Sequence, residues 1–385
     1  MSQKPKTPPT AAKHTVSEGT PARITLVLQG GGALGAYQAG VYQALHEAGL
    51  RPDWVIGTSI GAINAALIAG NKADDRLPRL KAFWKRVEHS APRNLAAGMP
   101  FLGRQFADWM TMASGVEGFF TPNALAFASS KWPLGAERAG YYNTAPLKKT
   151  LSELIDFSLT NNGGTRLTVG AANVQTADMR YFDSRDMPLD VRHVMASGAL
   201  PPAFPPVSIN DELYWDGGIL SNTPVEAVFD DFPRRSGLVF VVHIWNPSGP
   251  APQTIDSVLN RMKDVQYASR AHSHIVRQQQ IHHLRHIVAE LAARLSAEER
   301  AKPEVDDLAG YGCLTQMHVV RLLAPVLEGE GHSKDIDFSA GGIEARWKAG
   351  YDNTCEVVAR APWNDPVDPL DGFVLHEAIG GNTVG

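Results

Sequence analysis

Ser59 is the residue whose setting most suggests chemistry. It stands in the segment GTSIG, residues 57–61, after a short apolar run at 54–56. A serine at a strand end, with glycines two positions before and two after, is the arrangement of a nucleophile elbow. The tight turn leaves no room for side chains at Gly57 and Gly61, and the positive end of the following helix favours developing negative charge beside the hydroxyl. The simpler alternative is a turn whose serine only caps the helix.

A glycine-rich turn could supply the partner of such a nucleophile. The segment GGGALG, residues 30–35, follows the apolar run 24–28 and opens a helical stretch. Successive backbone N–H groups in such a turn form a concavity that binds anions. Because adjacent parallel strands end at one edge of a sheet, the N–H groups of Gly31 and Gly32 could face Ser59 as an oxyanion hole.

The same glycines admit a second interpretation. Gly30, Gly32 and Gly35 fit the pattern G-x-G-x-x-G of dinucleotide-binding proteins. A dinucleotide site also requires an acidic residue at the end of the second strand, where it would bind the ribose. This chain has Thr58 and Ser59 there instead, so the sequence favours the oxyanion hole.

A general base for the serine is provided by Asp216. It ends the strand-like segment ELYWD and precedes Gly217 and Gly218, which let the backbone turn sharply. A serine hydroxyl must lose its proton during attack, and a carboxylate at a strand end can accept it. Two alternatives stay open: a plain Asp-Gly-Gly turn, and a triad-type esterase or thioesterase in which His243, after Asp216 in the chain, is the base.

Together, these motifs resemble the patatin-like phospholipase family. GGGALG, GTSIG and DGG occur in the family's order and spacing, and ASGALPPAFPPV is similar to the block that precedes the aspartate strand. The resemblance covers residues 24 to about 245. It implies a three-layer α/β/α fold and a Ser-Asp dyad, with Ser59 as nucleophile, Asp216 as general base and Gly30 to Gly35 holding the oxyanion hole. The implied reaction is hydrolysis of acyl esters in phospholipids or other lipids.

One position departs from the family pattern. Many members have Arg or Lys where this chain has Leu34. A cation there would help to orient the oxyanion loop or attract an anionic head group. The chain's preference for acyl length, head group or lipid class is therefore left open, as is a third hypothesis, a lipid-binding protein that keeps the motifs without turnover.

The elements around the motifs indicate an α/β protein. Apolar strands alternate with glycine turns and helical stretches, which predicts a parallel sheet. Along the chain we expect a disordered tail at 1–22, a hydrolase domain at 23–245, a linker at 246–253 and a mainly helical extension at 254–385. The extension segment FSAGGIEARWKAGYDNT is similar to that of a bacterial patatin subgroup.

Composition sets the protein class. The chain has 385 residues, of which 44% are hydrophobic and 20% charged, and a net charge of −4. These values indicate a globular protein without an overall attraction to nucleic acid. No run of 18 apolar residues occurs, and the two cysteines are expected to be reduced thiols. We expect a cytoplasmic enzyme that uses no cofactor and no metal; the oligomeric state stays open.

Three further sequence patterns could form a membrane contact, a metal site or an acyl-chain cleft. Residues 254–298 form a basic amphipathic helical pattern that either packs onto the hydrolase domain or lies on an anionic bilayer as a peripheral contact. The pair His282 and His286 has a spacing that could bind a metal, although a solvated or partner-facing histidine cluster is the favoured interpretation. Apolar groups between 83 and 120 could line an acyl-chain cleft or form a lid, although ordinary core packing accounts for most of them. They are Phe83, Trp84, Phe101, Leu102, Phe106, Trp109, Met110, Met112, Phe119 and Phe120.

Overall fold

The computed structural model describes residues 23–88, 115–327, 330–368 and 371–377, without the side chains of 269–272. The tail predicted at 1–22 lies outside these residues. So do Phe101, Leu102, Phe106, Trp109, Met110 and Met112 of the predicted cleft segment.

Within the described residues, a nine-stranded mixed sheet forms the centre of the protein. Its strand order is β11-β10-β9-β1-β2-β5-β8-β7, and β6 pairs with β5 outside this path. The strands are β1 Ile24–Leu28, β2 Trp54–Thr58, β5 Arg166–Asn173, β6 Met179–Asp183, β7 Val207–Ile209, β8 Glu212–Asp216, β9 Gly237–His243, β10 Met317–Leu323 and β11 Phe373–Glu377. A separate two-stranded sheet consists of β3 Thr121–Pro122 and β4 Tyr142–Asn143.

The sheet is not parallel throughout, which corrects the expectation from the sequence. The strands from β11 to β5 are parallel, whereas β6 and β8 run antiparallel to β5, and β7 antiparallel to β8. The turn between β7 and β8 has only two residues, Asn210 and Asp211, with φ angles of 51° and 66°. So short a connection can join only antiparallel strands, and asparagine and aspartate tolerate its left-handed conformation.

Helices cover both faces of the sheet, giving the three-layer α/β/α fold. They are α1 Ala36–Glu47, α2 Ile60–Ala69, α3 Arg76–Val87, α4 Ala124–Ala128, α5 Ala145–Leu154, α6 Phe157–Asn161, α7 Val191–Ser197, α8 Glu226–Phe229, α9 Ile255–Ala293, α10 Ala297–Arg300, α11 Pro303–Ala309 and α12 Ala340–Arg360. Side chains of a strand alternate between its faces. Leu26 and Leu28 accordingly pack with α1 and α2, while Val27 packs with residues of α8 and α9 on the opposite face.

The segment that follows residue 253 contributes to the same sheet. Strand β10 pairs with β9, and β11 pairs with β10. Helix α12 packs closely on α1. A Cβ atom on Gly350 would lie only 2.0 Å from the Tyr37 carbonyl oxygen, so this contact requires glycine. The extension predicted at 254–385 thus adds strands as well as helices, since residues such as Val319 and Val320 are apolar enough for a buried strand.

Candidate active site

The strand-turn-helix around Ser59 has the geometry of a nucleophile elbow. Ser59 has φ 57° and ψ −125°, a conformation that costs a non-glycine residue free energy and is associated with functional sites. Its N–H group donates a hydrogen bond to Ser197 Oγ at 3.0 Å. A Cβ atom on Gly57 would lie 2.2 Å from the Gly61 carbonyl oxygen, and one on Gly61 would lie 2.2 Å from a carbonyl oxygen of β1. Both glycines are therefore required by the turn.

Asp216 lies beside this elbow, at the end of β8. It pairs with Ala171 of β5, whose neighbour Gly170 pairs with Thr58, so the antiparallel strand brings the carboxyl to the level of Ser59. The carboxyl is buried and accepts a hydrogen bond from Gly218 N–H at 2.7 Å.

The environment of Asp216 raises the pKa of its carboxyl toward neutral pH. Burial raises the pKa of the carboxyl to about 7, and hydrogen bonding from the Ser59 side chain and the Gly218 N–H group limits the rise. A base whose pKa lies near the working pH combines an ionised fraction with proton affinity, which is the requirement for general base catalysis. The carboxyl and the serine side chain thus form an interacting pair without a histidine between them.

The glycine-rich turn lies against the same cavity. Gly30, Gly31 and Gly32 line it together with Ser59 and Asp216. The Gly30 N–H group donates to the Asn222 carbonyl at 3.0 Å. Among the described residues, no acceptor is assigned to the N–H groups of Gly31 and Gly32. Both glycines are half-buried and line the cavity, so their N–H groups are open to solvent or to a bound ligand.

The carbonyl groups of this turn are already engaged. Gly30 O accepts hydrogen bonds from Trp245 Nε1 at 2.7 Å and Asn222 Nδ2 at 3.1 Å. The Gln29 carbonyl accepts a hydrogen bond from Gln38 Nε2 at 2.6 Å. The Gly31 carbonyl accepts one from the backbone N–H group of Leu34 at 3.2 Å. An anion in the cavity would therefore meet donors of the turn rather than its carbonyl oxygens.

Two predicted glycines serve packing instead of lining the cavity. A Cβ atom on Gly35 would lie 2.5 Å from Cγ1 of Ile60, so this glycine lets the first helix approach the second. A Cβ atom on Gly217 would lie 2.5 Å from Gly170 O, so this glycine lets the chain after Asp216 pass β5. Gly218, in contrast, lines the cavity.

His243 does not line the cavity that contains Ser59 and Asp216. It is buried at the end of β9. Its carbonyl accepts a hydrogen bond from Ala324 N–H at 2.8 Å. The residue of this strand end that does reach the cavity is Trp245.

The cavity itself has a volume of about 460 Å³ and a mostly apolar wall. Phe119 and Phe120 of the predicted cleft segment line it, whereas Phe83 and Trp84 belong to the core. The remaining apolar wall comes from distant parts of the chain. It consists of Ile60, Ile63, Tyr142, Leu200, Ala203, Phe204, Trp245, Tyr267, Ile336 and Phe338.

Polar residues of the C-terminal segment also reach the cavity, and the sequence did not indicate them. Lys263 of α9 lines it, as do His332 and Asp335. Leu34 is buried in the core and contributes no charge. More than 200 residues separate Lys263 from the glycine turn in the sequence. Only the folded structure shows that both line the same cavity.

Two histidines of α9 differ from the predicted solvated or partner-facing cluster, whereas His283 is exposed. His282 and His286 are buried rather than solvated, and the ring of His282 packs near Phe229 and Phe373. Burial lowers the pKa of His282 to about 4. A ring nitrogen of His286 lies 3.0 Å from the Thr315 carbonyl oxygen. Within the described ranges, no three His, Cys, Asp or Glu side chains form a group that could hold a metal ion.

Helix α9 exposes the apolar stripe that its sequence pattern contains. Among the described side chains of α9, the buried ones are Asp264, Ala268, Ile275, His282 and His286. The exposed stripe includes Ile255, Val258, Leu259, Met262, Val265, Leu284 and Leu291. Even so, none of the helices that the structure describes has both the length and the apolar character needed to cross a bilayer.

Comparison with known families gives two matches. A model described as "Patatin-like phospholipase" matches residues 26–229, and one described as "Patatin phospholipase" matches residues 265–370. The first of these covers more than half of the chain and contains Ser59, Asp216 and the glycine-rich turn.

Curated relatives share part of their length with this chain. Lysophospholipase nte1 of Aspergillus terreus is 27% identical over 265 residues, which cover 62% of this chain and 15% of that protein. The uncharacterized protein YqhO of Bacillus subtilis is 30% identical over 205 residues, or 52% of this chain and 64% of that protein. The chain therefore spans less than two thirds of the length of either relative.

Solved structures show a distant likeness. VipD from Legionella pneumophila has a TM-score of 0.37 and 16% sequence identity, covering 88% of this chain and 67% of VipD. The type III effector protein ExoU has a TM-score of 0.30 and 15% identity, covering 89% of this chain and 54% of ExoU.

Proposed function

The chain belongs to the patatin-like phospholipase family, and we propose that it is a serine lipid acyl hydrolase of the phospholipase, lysophospholipase or esterase type. One observation carries this proposal. The buried Asp216 carboxyl, whose pKa is raised to about 7, interacts directly with the Ser59 side chain in a cavity lined by a glycine-rich turn. A nucleophile, a base and two backbone donors are the groups that ester hydrolysis through an acyl-enzyme requires.

In the first half of the proposed reaction, Ser59 Oγ attacks the ester carbonyl carbon while Asp216 takes the hydroxyl proton. The N–H groups of Gly31 and Gly32 stabilise the negative charge that develops on the carbonyl oxygen. Collapse of this intermediate breaks the ester bond, and the alcohol leaves with the proton held by Asp216.

In the second half, a water molecule attacks the acyl-enzyme carbonyl carbon. Asp216 accepts the proton of this water, and the same backbone donors stabilise the second oxyanion. Release of Ser59 Oγ, which recovers its proton from Asp216, frees the fatty acid. One carboxyl thus serves as base and acid in turn, as its near-neutral pKa allows.

The apolar cavity wall supports an acyl chain as the part of the substrate bound next to Ser59. A volume of about 460 Å³ lies within the range of small-molecule sites, and the lining is dominated by aromatic and aliphatic side chains. A charged or sugar-like acyl group would lose hydration in this site without gaining partners.

We also propose that α9 contacts the surface of a lipid aggregate. Its exposed stripe includes Ile255, which is 78% exposed, and Met262, which is 54% exposed. Such a stripe is unusual on a soluble surface and is typical of helices that lie in a membrane interface. Lys263 and Tyr267 of the same helix line the cavity, so this contact would bring lipid next to its mouth.

The contact is tested by flotation of the protein with liposomes. Binding should rise with the anionic lipid fraction and fall with salt, because screening shortens the reach of the basic residues of α9. The variant Met262→Glu should bind several-fold less. The variant Leu308→Glu on α11, which also replaces an exposed apolar side chain, should bind like the wild type. Equal binding of all three proteins, or equal binding to neutral and anionic liposomes at low salt, would contradict the proposal.

Fluorophosphonate labelling tests the hydrolase itself. These reagents react with an activated serine, so the wild-type protein should be labelled and Ser59→Ala should not. A parallel screen of phospholipids, lysophospholipids, neutral lipids and short esters would identify the substrate class. A folded wild-type protein that binds lipid but is neither labelled nor active would favour the alternative of a non-catalytic lipid-binding protein.

A further inference from the structure

We propose that Lys263 is a positioning residue for the oxyanion loop, here residues 30–33. It acts through Asp335 of the C-terminal strap, here residues 331–338. The inference rests on the proposed function, which assigns the backbone N–H groups of this loop to the oxyanion. It assigns a role to an ion pair between two residues that lie outside the patatin motifs.

The strap contacts the oxyanion loop through backbone atoms. The Asp335 carbonyl oxygen accepts a hydrogen bond from Ala33 N–H at 2.8 Å. A Cβ atom on Gly32 would lie only 2.2 Å from the same oxygen. Loop and strap are therefore in contact with no side chain between them, and a shift of Asp335 would be transmitted directly to the Gly32 N–H group.

Lys263 fixes the strap at two points. Its Nζ atom donates to Asp335 Oδ1 at 2.6 Å and to the His332 carbonyl oxygen at 2.8 Å. The side chains of Lys263 and Asp335 are only 27% and 21% exposed, so solvent competes weakly for these bonds. Because one cation holds two positions three residues apart, it restrains both the location and the orientation of the strap.

A second ion pair supports the same arrangement with its charges exchanged. Asp264, next to Lys263, accepts a hydrogen bond from Lys334 at 2.7 Å, and both side chains are buried. Lys334 also lies 5.3 Å from the centre of the Trp245 ring, whose Nε1 donates to the Gly30 carbonyl. Two ion pairs of opposite polarity, Lys263–Asp335 and Lys334–Asp264, thus join neighbouring residues of α9 to neighbouring residues of the strap.

This arrangement explains how the loop can work with Leu34. Leu34 is buried in the apolar core, so the loop's own sequence supplies no cation at that position. The ion pair between Lys263 and Asp335 supplies the restraint from a different part of the chain. A displacement of oxyanion donors by about 1 Å can lower a rate by about 100-fold, so a remote restraint can have a large kinetic effect.

The test uses a neutral substrate, p-nitrophenyl butyrate, which has no charged head group for Lys263 to bind. In Lys263→Met and in Asp335→Asn, kcat should fall about 10- to 100-fold while KM changes less than about twofold, because the donors act on the transition state. In the double variant, kcat should fall no further than in the less active single variant, because both substitutions break the same ion pair. Lys263→Arg should retain most of kcat. Fluorophosphonate labelling should slow in parallel, since the phosphonyl oxygen uses the same donors.

A matched control separates positioning from general charge removal. Lys348→Met on α12 breaks an exposed ion pair with Asp352 and should leave kcat unchanged. Hydrogen exchange adds a readout that does not depend on turnover. The Ala33 amide should exchange faster in Lys263→Met than in wild type or Lys348→Met, while the free energy of unfolding stays similar.

Several results would overturn the inference: wild-type kcat in folded Lys263→Met, additive losses in the double variant, a change in KM alone, or unchanged exchange at Ala33. Failure of the proposed function gives a different result. A wild-type protein that neither hydrolyses esters nor reacts with fluorophosphonate would refute the hydrolase, and Ala33 exchange would still decide whether Lys263 holds the loop.

Discussion

Replacing Asp216 with asparagine should stabilise the fold at alkaline pH even though it should abolish activity. Burial raises the pKa of this carboxyl to about 7, so ionising it costs more free energy in the folded state than in the unfolded chain. The amide is close in shape to the carboxyl. Its oxygen can still accept the Gly218 N–H group, and its NH₂ group can donate to the Ser59 hydroxyl.

The size of the effect follows from the shift. From the ordinary value of 3.8 to about 7 is roughly 3 pKa units, and each unit corresponds to about 1.4 kcal/mol. Because the pKa is raised, the folded protein binds more protons than the unfolded chain between pH 3.8 and 7, and its stability falls as pH rises through this window. Above pH 7 the full penalty, on the order of 4 kcal/mol, is present in the wild type and absent from the variant.

Urea unfolding of both proteins between pH 4 and pH 8 measures this difference. The advantage of Asp216→Asn should be small at pH 4 and should reach several kcal/mol at pH 8. Asp183→Asn is the matched control, because Asp183 is also buried but forms an ion pair with Arg166 at 2.7 Å. Loss of that pair should destabilise the protein by roughly 3 kcal/mol. If Asp216→Asn also lost stability at pH 8, or its difference from wild type did not vary with pH, the raised pKa would be refuted.

Two further predictions concern the rate. With Asp216 as the base, kcat/KM should be half-maximal near pH 7 and fall about tenfold per unit below it; a profile flat from pH 5 to pH 8 would contradict this role. Gly32→Val places a Cβ atom against Asp335 O at a residue with φ 55° and should lower kcat by about 10² to 10³. A folded Gly32→Val protein with wild-type turnover would exclude this loop as the oxyanion hole.

Local motifs made much of the fold and of the candidate site predictable from the sequence. The elbow around Ser59 and the glycine turn at 30–35 each depend on five or six consecutive residues, whose steric needs can be recognised without a structure. The position of β10 was also predictable from its apolar residues. In such segments, local propensity and the final fold agree.

Features that depend on long-range pairing were not predictable. Strand β8 pairs antiparallel with β5, which is far from it in the sequence, and this pairing brings Asp216 to the level of Ser59. The sequence pattern likewise could not tell which face of α9 is buried: the helix packs through residues such as Ala268 and Ile275 and leaves the stripe with Met262 exposed. Nor could it reveal that Lys263 reaches the strap, because no local pattern relates the two segments.

The central claim is that Asp216, without a histidine, activates Ser59. Hydrolysis of a short p-nitrophenyl ester by purified Ser59→Ala, Asp216→Asn and His243→Ala tests it most directly, with circular dichroism to confirm folding. Because His243 does not line the cavity, we expect its variant to keep most of the wild-type rate, whereas the other two variants lose theirs. A folded but inactive His243→Ala enzyme, or an active Asp216→Asn enzyme, would contradict the dyad.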